Sequence, residues 1–348
     1  MLLATPRLTA PFGARSMLVT DAAGRDRVLT VVKAAWAVPF GSAPSVAPGA
    51  NEVRPVPSLH EERAGSSIRL PSDLAPVKPG TEVLLVGHAR HPAEYVDARW
   101  VDVTLAVEGD KTLLRKSLRV FGPRQWEERN GAWVPGSPAR YEETPLRWEW
   151  AFGGPQQARN PIGRGSAARR GAGTDQECHR IESVDPSDLN AGTSFTPAGF
   201  GPIAAHWEPR RSRAGVVLGE DLAPHPPVDR DPRHYCSAPD DQWLSRPLTG
   251  GETFVVTGVH ARSAWSFVLP ELQPEIGWSI RGRLERATPH LDTVTLDADA
   301  QMVTACWRVS FLAPRNLGDL GGITVDSRKV RSEHAVASRL VSQPVLVA

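Results

Sequence analysis

Six side chains able to bind metal or act as nucleophile and base fall in one stretch of the chain: Cys178, His179, His206, His225, His234 and Cys236. Thiolates and imidazoles are the ligands zinc prefers, and a thiol beside a histidine base is the start of a nucleophilic site. The spacing supplies neither. There is no Cys-x-x-Cys pair and no His-Glu-x-x-His, so nothing local preorganises a metal site. His234 and Cys236, two residues apart, would share one face of a strand. No Gly-x-Ser-x-Gly elbow is present. The adjacent carboxylates Glu142-Glu143 and Asp240-Asp241 would face opposite ways on a strand and read as solvated turns. The expectation is therefore a protein without catalytic residues, metal or cofactor. A metal-dependent or other hydrolase with its site within residues 178–236 stands as the alternative.

The stretch "RWEWAFGGPQQARNPIGRG" (147–165) is rich in glycine, but it is a poor phosphate cradle. Such a cradle needs a Gly-Lys-Ser/Thr ending that opens a helix, so that backbone N–H groups and an ammonium converge on the anion. Here Arg164 stands where lysine is needed, and no clear strand precedes. The dinucleotide spacing is absent as well. What the stretch offers is geometry. On a short strand Trp148 and Trp150 would share a face beside Phe152, and Gly153-Gly154 would then permit a tight turn. Asn160-Pro161 starts another turn, and Gly163 and Gly165 flank Arg164 in a further close passage. Two readings follow: a turn anchored in the core, or an interaction surface, since tryptophan and arginine are enriched at binding hot spots.

The elements that position these residues are mainly β. Gly 30 and Pro 32 punctuate a chain of 348 residues, which favours short strands and many turns. Strands are predicted over 26–38 and 81–90, and alternation runs from Trp100 to Val107 and again from Leu114 to Val120. The Glu-Gly-Asp-Lys tetrad between those runs signals a hairpin, and a second hairpin turns near Asp297–Asp299. "ETFVVTGVH", "WSFVLP" and "WSIRGRLERA" are also strand-like. The expected architecture is two β-sheet modules, sandwich- or barrel-like, over residues 1–122 and 251–313, joined by a loop-rich layer at 123–250. That layer is either ordered and packed on the sheets or a partly mobile excursion. Its tryptophans 126, 133, 148, 150, 207 and 243 favour order, and 164–180 is the part expected to move. The tail, 314–348, would carry a short helix capped by Asp326 or Ser327, with Val330, Ala337, Leu340 and Val341 on one side.

A formal net charge of +1 gives no bulk reason to expect nucleic acid or an acidic membrane as partner. No apolar run is long enough to insert in a bilayer, and the N-terminal residues lack the pattern of a secretory signal. With Cys 3, an odd number, a disulfide framework is not expected. These features predict a soluble cytoplasmic protein with reduced thiols.

An ordered series of motifs resembles the bacterial domain-of-unknown-function family numbered 2169, whose members are linked to type VI secretion as effector adaptors or chaperones. "DLAPVKPGT" (73–81) is similar to the family's Asp-Leu-x-Pro-x-Lys-Pro-x-Thr segment and contributes Asp73 and Lys78. "EWAFGG…NPIGRG" resembles its most recognisable signature. "PVDRDPRHYCSAPDDQW" (227–243) resembles another pattern and contributes Asp229, Asp241, Gln242 and Trp243, and "LDTVTLDADAQMVTACWR" contributes Asp292. The resemblance departs where "RAGVVLGEDLAPHPP" lacks a Gly-Thr-Tyr-Asp run. It implies a non-enzymatic cytoplasmic adaptor that binds a secreted effector (a toxin) and helps load it on a VgrG-type spike protein. A structural subunit of a secretion or injection assembly is a further alternative.

Overall fold

The computed structural model describes residues 3, 5–8, 11–63, 65–95, 97–165, 177–184, 195–216, 225–261 and 264–328. The protein is mainly β, with 44% strand and, among the described residues, no helix of 7 residues or more. The larger sheet is ordered Trp243–Leu244, Thr81–Val86, Leu291–Asp297, Met302–Leu312, Asp26–Ala37, Gly13–Thr20, with Ser45–Val46 also on Asp26–Ala37. Only Thr81–Val86 against Leu291–Asp297 is parallel in that order. A five-stranded antiparallel sheet runs Ile181–Ser183, Thr112–Phe121, Trp100–Glu108, Thr253–Thr257, Trp265–Val268. A four-stranded sheet runs Arg7–Leu8, Thr324–Arg328, Gln273–Ile280, Arg283–Ala287.

Burial explains the sequence patterns. Asp26–Ala37 reads as a continuous apolar run because both its faces are covered. Val28, Val32, Ala34 and Trp36 join the main core, while Leu29 and Val31 form a smaller cluster with Val53. Trp100–Glu108 puts Val101, Val103, Leu105 and Val107 into the same main core. One apolar core is therefore shared by the two largest sheets. The amino- and carboxy-terminal β modules are woven together within them, because Asp26–Ala37 pairs Met302–Leu312 and Trp100–Glu108 pairs Thr253–Thr257. Both predicted hairpins form, at Glu108–Thr112 and between Asp297 and Met302.

Two expectations are corrected. Thr324–Arg328 is a strand, not the start of a helix capped at Asp326 or Ser327. It is held between Arg7–Leu8 and Gln273–Ile280, with Val325 fully buried, so tertiary pairing overrides the local helix pattern. Val330, Ala337, Leu340 and Val341 lie outside the described residues. Trp148–Trp150 is a 3-10 turn, not a strand, which puts Trp148 in the core and leaves Trp150 half-buried. In the loop-rich layer Trp126, Trp148 and Trp207 are buried. Of the stretch expected to move, 166–176 lie outside the described residues, while the Arg164 and Arg180 amides bond Ala151 and Trp150 carbonyls.

On the face of the larger sheet turned away from the main core, a row of polar side chains crosses four strands. Lys33 is registered with Cys306, Cys306 with Thr293, and Thr293 with Glu82. Residues 73–78 are strapped over this row by charge. Lys33 Nζ lies 2.8 Å from Asp73 Oδ2, which also accepts the Arg54 amide at 2.7 Å. Lys78 donates to Glu82 and, at 2.7 Å, to Thr293. Arg308 donates two bonds to Asp292, at 2.5 and 2.8 Å, and one to the Ala75 carbonyl. All six charged side chains are buried. Asp73, Lys78 and Asp292 are thus fastenings of the fold.

A buried ion pair is close to neutral against a well-packed apolar pair, but removing one partner costs about 3–5 kcal/mol. Glu82→Ala should therefore lose about that much stability, because Lys78 is left buried and unpaired. The double variant Lys78→Met/Glu82→Leu should recover part of that loss, the rest reflecting the Ser237 and Ala238 amides that Glu82 also holds. Urea denaturation midpoints at neutral pH check both.

Candidate functional site

The glycine-rich signature closes on itself around Asn160. This side chain is fully buried and donates to the carbonyls of Trp148 at 2.9 Å and Phe152 at 3.0 Å. A Cβ on Gly153 would stand 2.2 Å from the Asn160 carbonyl oxygen, and one on Gly163 2.3 Å from its Nδ2. Glycine is required at both positions by close approach. Trp148 Nε1 donates to the Gly201 carbonyl at 3.1 Å, and its ring meets Trp207 edge-on. Phe152 is buried edge-on against His179. Trp148, Phe152, Gly153, Gly154 and Asn160 therefore build the turn. Pro161, Gly163, Arg164 and Gly165 line its half-buried rim.

What this turn presents is an aromatic–cation cluster. The Arg164 and Arg180 guanidinium carbons each lie 3.8 Å from the Trp150 ring. Both arginines bond one carboxylate, that of Glu177. Burial lowers the pKa of Arg164 below the usual arginine range, and the charges of Arg180 and Arg147 lower it further. Burial does the same to Arg180. The Glu149 carboxylate acts on Arg164 in the opposite sense. Beside the cluster lies an open depression lined by Gly153, Gly154, Pro155, Gly163, Arg164, Gly165 and Glu177.

The loop from Asp229 to Trp243 is fixed from beneath. Gln242 is fully buried, donates to the Val83 and Phe200 carbonyls at 2.8 and 2.9 Å, and accepts from Lys116 at 2.9 Å. Lys116, inside the five-stranded sheet, also reaches Asp241 at 2.9 Å, although Asp241 itself is exposed. Arg213 grips Asp240 with bonds of 2.8 and 2.7 Å and lowers its pKa. Arg233 joins Asp240 and stacks on half-buried Trp243 at 4.6 Å. Asp229 is exposed and accepts the Val216 amide.

The cysteines and histidines do not assemble. His234 donates through Nδ1 to the Arg210 carbonyl at 2.8 Å, and His206 accepts the Trp207 indole N–H at 3.0 Å. Pro232–Tyr235 is a 3-10 turn, so His234 and Cys236 do not share a strand face. Among the described residues no group of three or more His, Cys, Asp or Glu is arranged to hold a metal ion. One local relay does form. Cys178 Sγ lies 3.4 Å from His179 Nδ1, and His179 Nε2 lies 2.9 Å from Glu182, which Arg124 also binds. Its order is that of a nucleophile, a base and an orienting carboxylate. Yet Cys178 and His179 are both fully buried, and burial pushes the Cys178 thiol up to about 12. A protonated thiol without access to solvent is no nucleophile at neutral pH.

Glu177, Arg180, Lys116, Glu182 and Arg124 were not among the residues singled out from the sequence. One signal was available for Lys116: it falls in phase with Leu114, Leu118 and Val120, the core-facing side of its strand. The others are brought in by contacts that no local pattern encodes.

A family model described as "Uncharacterized protein conserved in bacteria (DUF2169)" matches residues 23–308. No match was found among curated proteins or among solved structures.

All three cysteines are free and buried. In native protein they should resist a disulfide-exchange reagent such as Ellman's, and all should react after unfolding in guanidinium. The pH dependence of stability has a defined sign. Burial alone would raise the Glu182 and Asp299 carboxyls, but bonds from His179 and Arg124, and from His88 and Arg90, hold each at about 2. Stability from these groups is complete above the ordinary carboxylate range near 4 and is lost as pH falls towards 2. Denaturant midpoints measured from pH 7 down to pH 2 should drop in that window, less steeply in Glu182→Gln.

Proposed function

From the premise that the chain belongs to the family described as uncharacterized protein conserved in bacteria (DUF2169), we propose that it is a cytoplasmic, non-enzymatic adaptor. In this reading it binds a type VI secretion effector and helps load it on a VgrG-type spike. The observation that carries the proposal is the division of labour within the family signature. Its buried half is spent on closing the turn, while its rim holds the half-buried Trp150 indole and the one-third exposed Arg164, with the deeper Arg180 from outside the signature packed on the same ring. Those are the residue types concentrated at protein-binding hot spots. The loop at Arg233 and Trp243 repeats the pairing. A rigid, prearranged surface of this kind loses little entropy on binding. The absence of a helix long and apolar enough to cross a membrane, among the described residues, agrees with this reading and does not test it.

The test is co-expression of the tagged protein with candidate effector toxins and a VgrG-type spike protein from the same genome, then affinity purification and mass determination. A stoichiometric complex with the toxin is expected, and Trp150→Ala should weaken it at least tenfold. Trp148 is unsuitable as a probe, because truncating a buried tryptophan costs about 3–5 kcal/mol of fold stability. A monomer that retains neither partner, while unfolding cooperatively, would overturn the adaptor reading.

A further inference from the structure

The Arg164–Arg180 pair is held by a single carboxylate from the same chain, and this arrangement suggests what its partner supplies. We infer that the depression beside Trp150 is a docking site for an extended acidic protein segment, whose carboxylate replaces Glu177 on the two arginines. The inference rests on the adaptor reading and names the chemistry of its partner.

Four observations carry it. First, both guanidinium groups are held against the Trp150 ring, 3.8 Å from it, so the fork is fixed in place before any partner arrives. Arginine forks match carboxylates with paired, charge-assisted bonds. Second, the two cations share one bonded anion, and the Arg180 and Arg147 charges repel Arg164 with only Glu149 acting against them. Third, the occupant is reachable from one side: the Glu177 side chain is 35% exposed and Arg164 34%, while Arg180 lies deeper at 13%, so exchange begins at Arg164. Fourth, the floor is made of Gly153, Gly154, Gly163 and Gly165, which present backbone without side chains. The Gly154 and Gly163 amides are already taken by the Asn160 carbonyl, so a segment in extended conformation lies against this floor without side-chain obstruction and is held there by its carboxylate. Glu177 then acts as an internal competitor. It keeps the arginines neutralised while the site is empty and sets a threshold that weakly acidic segments do not pass.

The test uses the full chain and a capped octapeptide of alternating glutamate and glycine, with its glutamine counterpart as control. Binding is followed by calorimetry at low salt and by Trp emission. Glu177→Gln should bind the glutamate peptide at least tenfold more tightly than the parent protein. The glutamine peptide should show no such gain, and Arg164→Gln/Arg180→Gln should abolish binding. Glu177→Ser provides the same comparison if the glutamine variant unfolds early. Equal affinity for the two peptides, no gain on removing Glu177, or displacement of the peptide by equimolar inorganic phosphate would each overturn the inference. The two readings separate cleanly in the toxin complex. A complex indifferent to Glu177→Gln and to the arginine variants sinks the acidic-segment site alone. Peptide binding without any toxin complex sinks the adaptor reading and leaves the site standing.

Discussion

Glu82 accepts hydrogen bonds from Lys78, from the backbone amides of Ser237 at 2.5 Å and Ala238 at 2.8 Å, and lies in register beside Thr293. One fully buried carboxylate thereby ties together the strap before its own strand, a strand more than two hundred residues later, and the loop-rich layer. A buried charge is tolerated only when it is paired and its remaining lone pairs are used. Meeting that condition forces these segments into one arrangement, since any slip leaves an ionised group without partners in a low-dielectric interior. The strap, the parallel strand pair and the anchored loop depend on this constraint more than on the apolar area they bury, for the cluster on that face of the sheet is small.

The same logic extends across the sheet. Lys33 with Asp73 and Arg308 with Asp292 complete a set whose formal charges cancel. The main core between the two large sheets supplies the nonspecific drive to collapse, and the polar row supplies register. Lys116 performs the corresponding task from the opposite sheet by fixing Gln242 and Asp241. The loop that ends in Trp243 is thus held from both sheets beneath the Arg233–Trp243 pair.

Much of the fold was legible because strand periodicity and turn chemistry are local. Asp26–Ala37, Trp100–Glu108 and the hairpin turns follow from apolar runs, alternation and the residues between them. The strand at Thr324–Arg328 was not legible, since it is held by pairing with distant segments and by burial of Val325 in a core they help to form. The same holds for the candidate site. Gly153, Gly163 and Asn160 stand out in the sequence as a turn, but the sequence does not say that Trp148 turns inwards and Trp150 stays at the rim. That difference comes from a single 3-10 turn. Glu177 and Arg180 lie beyond a further stretch of chain and are brought to Trp150 by long-range pairing, the Arg180 amide on the Trp150 carbonyl and the parallel contact of Ala151 with Ile181.

The boundaries of the family match do not coincide with those of the fold. The match ends at residue 308, yet Phe311 stacks flat on Trp278 with ring centroids 4.2 Å apart, and Ile323 and Val325 belong to the main core. Gly277 lies against Thr324, where a Cβ would come within 2.8 Å of Oγ1. A residue inside the match therefore owes its lack of a side chain to a strand outside it. The four-stranded sheet cannot close without Thr324–Arg328, and Gln273–Ile280 would otherwise present an open edge of the kind that invites pairing with other chains. The flanking strands complete the body on which the signature turn is mounted, so a fragment cut to the matched residues would expose core and edge together.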